Sequence, residues 1–305
     1  MSHMDETDDK KRKIGQVLQR MKEQIVDLYQ YFEAPTPKNA ASRLICYQIQ
    51  TWEKLSSCRK RPAVLILPGG GYAHTSPREA EPVALRLAAQ GYAPFVLHYS
   101  VAPAQYPTAL REAAMAMRYI RENAREYEAD PAMVAAIGFS AGGHLCGTLG
   151  MLYDSPEVAD LGPASLLRPD ALGLCYPVAV SWGKTHEGSF ENLCGCDAEL
   201  RGRLSLEKLV RADMPPVFLW HTRDDEAVPC RNALILAQAL DEAGVDFSMH
   251  IYRHGRHGLS TADEMVYPVS AVPDISWDVP DWLDTMVRFF KEKGFRITDY
   301  QGECR

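Results

Sequence analysis

Short apolar runs and amphipathic stretches alternate along most of this chain. The runs at Leu44–Trp52, Ala63–Leu67, Pro94–Tyr99, Met133–Phe139, Ala171–Tyr176, Val217–Trp220 and Phe247–Tyr252 have strand length and carry Val, Ile, Leu and aromatic residues. Between them, Glu79–Gln90, Tyr106–Tyr127, Ala141–Tyr153, Arg231–Ala243 and Asp281–Lys293 place apolar residues at three- and four-residue steps, the spacing of a helix with one buried face. Strand and helix in alternation predict right-handed crossovers. The expected fold is therefore α/β, a mostly parallel central sheet with helices on both faces. The first strand precedes the alternation and can lie antiparallel at an edge.

Three segments depart from this rhythm. Residues 9–33 set Ile14, Val17, Leu18, Met21, Ile25, Leu28, Tyr29 and Phe32 at helical spacing and end at Pro35 and Pro37. This predicts an N-terminal amphipathic helix extension over residues 1–36, followed by one α/β domain over 37–305. The helix needs a cover for its apolar face; the main body is the first choice and a second copy of the chain, giving a homo-oligomer, the other. Residues 181–214 insert a turn-rich start and a charged helical stretch, Ala198–Val210, between two strands near the carboxyl edge of the sheet, where insertions shape sites. Residues 263–279 form a long Pro-containing loop, a length that usually signals a site-lining role.

Composition narrows the classes. The 305 residues are 46% hydrophobic and 24% charged with a net charge of -7, which suits a globular protein with ample core and disfavours nucleic acid as a partner. The basic run Lys10–Lys13 is offset by Asp5, Glu6, Asp8 and Asp9. Without an apolar leader or a run of 18 apolar residues, the chain is expected to be cytoplasmic, with no membrane partner. Cys46, Cys146 and Cys175 stand in apolar surroundings and read as small packing residues. Cys194-Gly-Cys196 lacks a second ligand pair, so neither a metal nor any other cofactor is expected.

The chemistry gathers at strand ends. Val134–Phe139 runs into Gly138-Phe-Ser140-Ala-Gly142 and then into small and apolar residues that suit a helix. A serine on so sharp a turn needs glycines two residues away on either side, and its hydroxyl then stands at a helix start, among free N–H groups. Ser140 is thus the candidate nucleophile. A serine hydroxyl needs a base, and the base needs an acid to hold its tautomer, in the chain order Ser, acid, His for such a fold. Asp224, Asp225 and Glu226 follow the strand ending at Trp220, and only one of them can reach an imidazole. His254 and His257 follow the strand ending at Tyr252; the position before Gly258 favours His257, while His221 and His250, beside or within strands, read as structural. Upstream, the strand ending at Leu67 runs through Pro68 into Gly69-Gly70-Gly71-Tyr72. Glycines there let the N–H groups of Gly70 and Gly71, with that of Ala141, close on an oxyanion.

Pro68-Gly-Gly-Gly-Tyr72, Arg78-Glu-Ala-Glu-Pro82, Tyr99-Ser-Val-Ala-Pro103, Gly138-Phe-Ser-Ala-Gly-Gly-His144, Asp225-Glu-Ala-Val-Pro229 and Gly255-Arg-His-Gly258 together resemble the α/β-hydrolase esterases, in particular the small acetyl esterase or acetylxylan-esterase-like group. The resemblance spans roughly residues 40–293. It implies Ser140 as nucleophile, Asp225 as acid, His257 as base, an oxyanion hole of Gly70, Gly71 and Ala141, and an approach to the site lined by Ser189, Phe190 and Asn192. Tyr72, next to the glycines, joins these as a substrate-binding candidate. Pro68 stands where related lipases have histidine, and the N-terminal 34 residues have no counterpart. The activity implied is hydrolysis of short acyl esters, O-acetyl groups on sugars or oligosaccharides among them. A peptidase of the same fold and a catalytically silent binding protein are the rivals.

Overall fold

In the computed structural model the described residues are 21–49, 59–268 and 275–299. Among them the strands are β1 (Met21–Val26), β2 (Arg43–Ile49), β3 (Arg59–Leu67), β4 (Ala93–His98), β5 (Ala129–Phe139), β6 (Ala171–Cys175), β7 (Val217–Thr222), β8 (Phe247–Tyr252) and the two-residue β9 (Thr298–Asp299). The main sheet runs β1-β2-β4-β3-β5-β6-β7-β8, with β9 clipped to the start of β3. From β4 to β8 every neighbouring pair is parallel, while β2 lies antiparallel to β4 and β1 antiparallel to β2. The chain leaves β3 toward β4 on one side and later returns to β5 on the other. The order therefore reverses at β3 and β5, and a crevice opens beyond their carboxyl ends, the usual place for a ligand in an open α/β sheet.

The helices that connect these strands and shape the site are α1 (Glu81–Ala89), α2 (Thr108–Glu122), α3 (Ala141–Leu152), α4 (Glu187–Cys194), α5 (Ala198–Arg203), α6 (Leu206–Leu209), α7 (Arg231–Glu242) and α8 (Trp282–Glu292). Alternation along each strand sorts the core into two layers. Ala63, Leu65 and Leu67 of β3 join Ala113, Met117, Leu145, Leu149 and Leu236 of α2, α3 and α7. Val64 and Ile66 point the other way, to Val83 and Leu87 of α1 and Met286 and Phe290 of α8. A sheet covered on both faces explains why its central strands read as continuous apolar runs. Trp282 stacks on Trp220 at 5.2 Å between ring centroids, both fully buried, and locks α8 beneath the strand that delivers the acidic turn.

The seven strands and five principal helices expected from the sequence are present among the described residues, with residues 50–52 of the first strand outside them; β2 is antiparallel but is not the edge, because β1 flanks it. The N-terminal segment differs. Residues 1–20 lie outside the described residues; of the rest of the expected helix only Leu28–Tyr31 is helical, and Met21–Val26 is the edge strand β1. The physical reason is the open ladder of β2: six residues of β1 pair with it from Met21–Ile49 to Val26–Leu44, satisfying backbone groups on its free edge, while of the described residues up to Phe32 only Val26, Leu28 and Tyr29 are buried. The described part of this segment packs on the body. The charged stretch expected over Ala198–Val210 is likewise broken in two, because Ser205 is pulled into the interior, where its Oγ accepts the Ser181 N–H at 2.8 Å.

Candidate active site

At the end of β5 the backbone turns on Ser140, at φ 54° and ψ -116°, before α3 begins. A non-glycine residue in that region costs about 1–3 kcal/mol and persists only where its surroundings over-determine it. Here the Ser140 N–H donates to Cys175 O at 3.0 Å, and Ser140 O accepts from the N–H groups of His144 and Val178 at 3.0 and 3.1 Å. The flanking glycines are obligatory. A Cβ on Gly138 would lie 2.1 Å from Gly142 O, and one on Gly142 would lie 2.1 Å from Leu67 O.

Two loops bring the remaining groups. His257, on the loop after β8, sets Nε2 2.7 Å from Ser140 Oγ and Nδ1 2.6 Å from Asp225 Oδ2 on the loop after β7. A carboxylate oxygen accepts, so Nδ1 carries the proton and Nε2 is left to accept from the serine. The other oxygen of Asp225 accepts the N–H groups of Ala227 and Val228 at 3.0 and 2.9 Å, and the carboxylate is wholly buried. The three neighbouring acids thereby separate. Asp224 instead takes His254 Nδ1 at 3.0 Å and the Gly255 N–H at 2.8 Å, on an exposed flank, and Glu226 faces solvent. His221 is fully buried with Nε2 donating to Val228 O at 2.8 Å, and His250 Nε2 meets Ser248 Oγ at 3.0 Å.

The glycine loop after β3 closes the other side. Gly70 and Gly71 have φ of 125° and 65°; Gly70 O accepts from Ala73 and His74, and Gly71 O accepts Asn192 Nδ2 at 2.9 Å. Among the described residues no acceptor meets the N–H groups of Gly70 and Gly71. Ala141 opens α3, where the first N–H groups have no partner in the helix ladder. Pro68 leaves its carbonyl to the Tyr99 hydroxyl, at 2.7 Å.

Ser140, His257, Gly70 and Gly71 line one cavity of about 380 Å³. Its other walls are Ala73, His74, Ser76, Arg78, Glu79, His186, Asn192 and Gly258, so no Leu, Ile, Val, Met, Phe, Tyr or Trp side chain among the described residues lines the space around the serine. Of the expected substrate-binding residues only Asn192 lines it. Tyr72 follows the glycines at φ 56°, which turns its ring into the core, where the hydroxyl meets His144 Nδ1 at 2.9 Å. Ser189 and Phe190 are buried too: Ser189 Oγ bonds His186 Nδ1 at 2.8 Å and Phe190 packs edge-on to His144 at 5.3 Å. His186 and Glu79 are not singled out as site residues by the sequence: Glu79 stands within the motif Arg78-Glu-Ala-Glu-Pro82 with no role of its own, and its bond to Tyr176 spans 97 positions, while His186 carries no motif and meets the cavity only once the insertion folds over Gly71. The loop over 263–279 does not line the cavity with its described residues. It braces the base loop, with the Tyr267 hydroxyl donating to Gly258 O and Ser276 Oγ accepting the His254 N–H. Cys194 is buried and Cys196 exposed, and among the described residues no group of three His, Cys, Asp or Glu side chains is placed to hold a metal ion.

Burial lowers two histidines that support the site. His144, bonded by Nε2 to Leu204 O and by Nδ1 to Tyr72, is held neutral down to about 4, and His221 is lowered to about 4 as well, both from 6.5 and both by desolvation. The sign follows from linkage. Above 6.5 both states bind no proton at these sites; as pH falls toward 4 the unfolded chain takes up protons that the folded one refuses, so stability declines. The unfolding midpoint should drop by roughly 5–10 °C between pH 7 and pH 5, as read by calorimetry. A level midpoint would show that these histidines charge in place.

A sheet reversing at β3 and β5, a strained serine between strand and helix, and a cavity at that reversal define an α/β hydrolase. The BD-FAE family model matches residues 52–163 and the prolyl oligopeptidase family model residues 195–273. The chain is 37% identical to a solved structure of an acetyl ester-xyloside bifunctional hydrolase from Caldicellulosiruptor lactoaceticus, over 84% of this chain and 89% of that one, at a TM-score of 0.72. It is 36% identical to endo-1,4-beta-xylanase B of Butyrivibrio fibrisolvens over 67% of this chain and 33% of that protein. It is 28% identical to an acetylxylan esterase of Xylanibacter ruminicola over 73% of this chain and 45% of that protein, so it spans under half the length of these two curated relatives. The chain belongs to the α/β-hydrolase superfamily. No helix among the described residues is long and apolar enough to cross a membrane.

Proposed function

We propose that this protein is a serine carboxylesterase that removes short acyl groups, acetyl above all, from hydroxyl-rich alcohols such as carbohydrates. The observation that carries the reading is the chain of hydrogen bonds Ser140, His257, Asp225 opening into a cavity of about 380 Å³ that no large aliphatic side chain lines. Ser140 Oγ attacks the ester carbonyl carbon as its proton passes to His257 Nε2, and Asp225 steadies the imidazolium through Nδ1. Charge arriving on the carbonyl oxygen meets the N–H groups of Gly70, Gly71 and Ala141. Collapse releases the alcohol, which takes the proton from His257, and leaves an acyl-serine that water clears by the same steps. A cavity walled by small residues and hydrogen-bonding side chains gives a long acyl chain little to pack on but can hydrogen-bond a polyol through His186, Asn192 and Arg78. The sugar part is supported by what two relatives are called, an acetylxylan esterase and an acetyl ester-xyloside hydrolase.

The prolyl oligopeptidase match favours a second reading, a serine peptidase of the same fold. It covers Asp225 and His257, which the two chemistries share, while Ser140 and the glycine loop fall within the BD-FAE match. One series of substrates separates them. For p-nitrophenyl esters, kcat/KM for acetate should exceed that for octanoate by at least about tenfold, since no Leu, Ile, Val, Met or Phe of the cavity receives the extra methylenes. Acetylated xylo-oligosaccharides should release acetate, and peptide p-nitroanilides should stay intact. Preference for octanoate would remove the short-acyl reading, and amide turnover at comparable kcat/KM would favour the peptidase.

A further inference from the structure

The mechanism above gives no task to Glu79, in the stretch Arg78-Glu-Ala-Glu-Pro82, yet this residue puts a buried carboxylate against the nucleophile. Glu79, at the end of the single turn Pro77–Glu79, is 3% exposed and forms part of the cavity wall. Its Oε2 accepts the Gly69 N–H at 2.9 Å and its Oε1 accepts the Tyr176 hydroxyl at 2.7 Å. A Cβ built on Gly69 would lie 2.7 Å from Glu79 Oε2 and 3.0 Å from Ser140 Cβ, so carboxylate and nucleophile flank a single point.

Those two bonds reach both halves of the machinery. Gly69 immediately precedes Gly70 and Gly71. Tyr176, one residue past β6 at φ 36°, sets its ring edge-on to the His257 imidazole at 5.2 Å, and its oxygen accepts the Ser260 N–H at 2.8 Å. Ser260 in turn donates its hydroxyl to Arg78 O, closing the circuit beside Glu79. The loop that holds the oxyanion donors and the loop that holds the base are thus fastened to one side chain.

We propose that Glu79 is a positioning residue that sets the spacing between the oxyanion loop and His257 around Ser140. The proposal rests on the serine-esterase reading above. A carboxylate suits the task because it only accepts, and both partners donate; an amide whose oxygen takes the Gly69 N–H turns its own N–H groups toward Tyr176, so the hydroxyl loses the acceptor it donates to. Misplacement of catalytic groups by about 1 Å costs on the order of 10²-fold in rate, so the link is worth far more to turnover than to binding.

The test uses the full chain, p-nitrophenyl acetate turnover and labelling by a fluorophosphonate probe. Glu79→Gln should lower kcat about 10- to 100-fold, with KM within about threefold, and slow labelling in parallel. Tyr176→Phe keeps the ring on His257 but cuts the link and should lower kcat by a smaller factor, again with KM little changed. The double variant should be no slower than Glu79→Gln alone, because both changes break one connection. A folded Glu79→Gln protein with kcat within twofold of wild type would overturn the proposal, as would losses that multiply in the double variant. Should Glu79→Gln fail to fold, Tyr176→Phe decides: an unchanged kcat overturns the proposal and a fall in kcat at constant KM supports it. Labelling of the wild type that is lost in Ser140→Ala keeps the serine mechanism apart from this outcome; an unlabelled wild type would mean that the mechanism itself, and the proposal with it, is wrong.

Discussion

Ser140→Ala is expected to lower kcat about 10⁶-fold on p-nitrophenyl acetate while KM moves little. In the proposed mechanism the hydroxyl, with His257 Nε2 at 2.7 Å, forms the acyl-enzyme, so its loss would leave only cavity binding and the proposed oxyanion donors. Those act on water as the attacking group, and water has no seat fixed by the strained turn. The substitution should fold well, because the backbone bonds from Ser140 to Cys175, His144 and Val178 do not involve the side chain. Alanine carries the same strain at φ 54° that serine does, so the melting temperature is expected to stay close to that of the wild type. Steady-state kinetics with active-site titration checks both halves. A variant that retained a tenth of wild-type turnover would rule out the serine mechanism.

The sheet was legible in the sequence because strands buried on both faces cannot avoid long apolar runs, and Gly138 and Gly142 were legible because only glycine fits where a Cβ would sit 2.1 Å from a carbonyl oxygen. Residues whose position follows from the turn itself, Ser140 and the glycines after β3, could be read for the same reason. The edge strand β1 could not. Lys22, Glu23 and Gln24 are exposed, and what holds them is a backbone ladder to β2, which leaves no mark on side-chain pattern. Local sequence also misdirects at Tyr72, whose place beside the glycines suggests the cavity. A positive φ sends its ring inward to His144, and His186 takes the cavity wall from the far side of the insertion. Glu79 shows the same limit from the other direction: an acid amid an ordinary helix start becomes part of the site only because β3, β6 and the loop after β8 converge on it.

Adjacent acids give the sharpest remaining prediction. Asp225→Asn should lower kcat about 10⁴-fold, and Asp224→Asn should cost less than about tenfold. Both residues receive a histidine Nδ1 at similar distance, 2.6 Å for Asp225 and 3.0 Å for Asp224, so contact alone does not separate them. Burial and the second partner of each histidine do. The Asp225 carboxylate is wholly buried and its histidine reaches Ser140, whereas the Asp224 pair is about half exposed on both sides and ends at the loop surface. An asparagine at 225 can offer its amide to His257 and turn the imidazole to the tautomer that carries its proton toward the serine, which then has no base. At 224 the same change loosens the Gly255 N–H and the His254 side chain, a surface brace of small worth in solvent. His257→Ala should accordingly remove nearly all turnover, while His254→Ala keeps most of it. The reverse order, measured as kcat in folded proteins, would move the acid one residue upstream and the base three residues upstream, onto the solvent-exposed pair, and Ser140 would be left 2.7 Å from an imidazole with no part in the reaction.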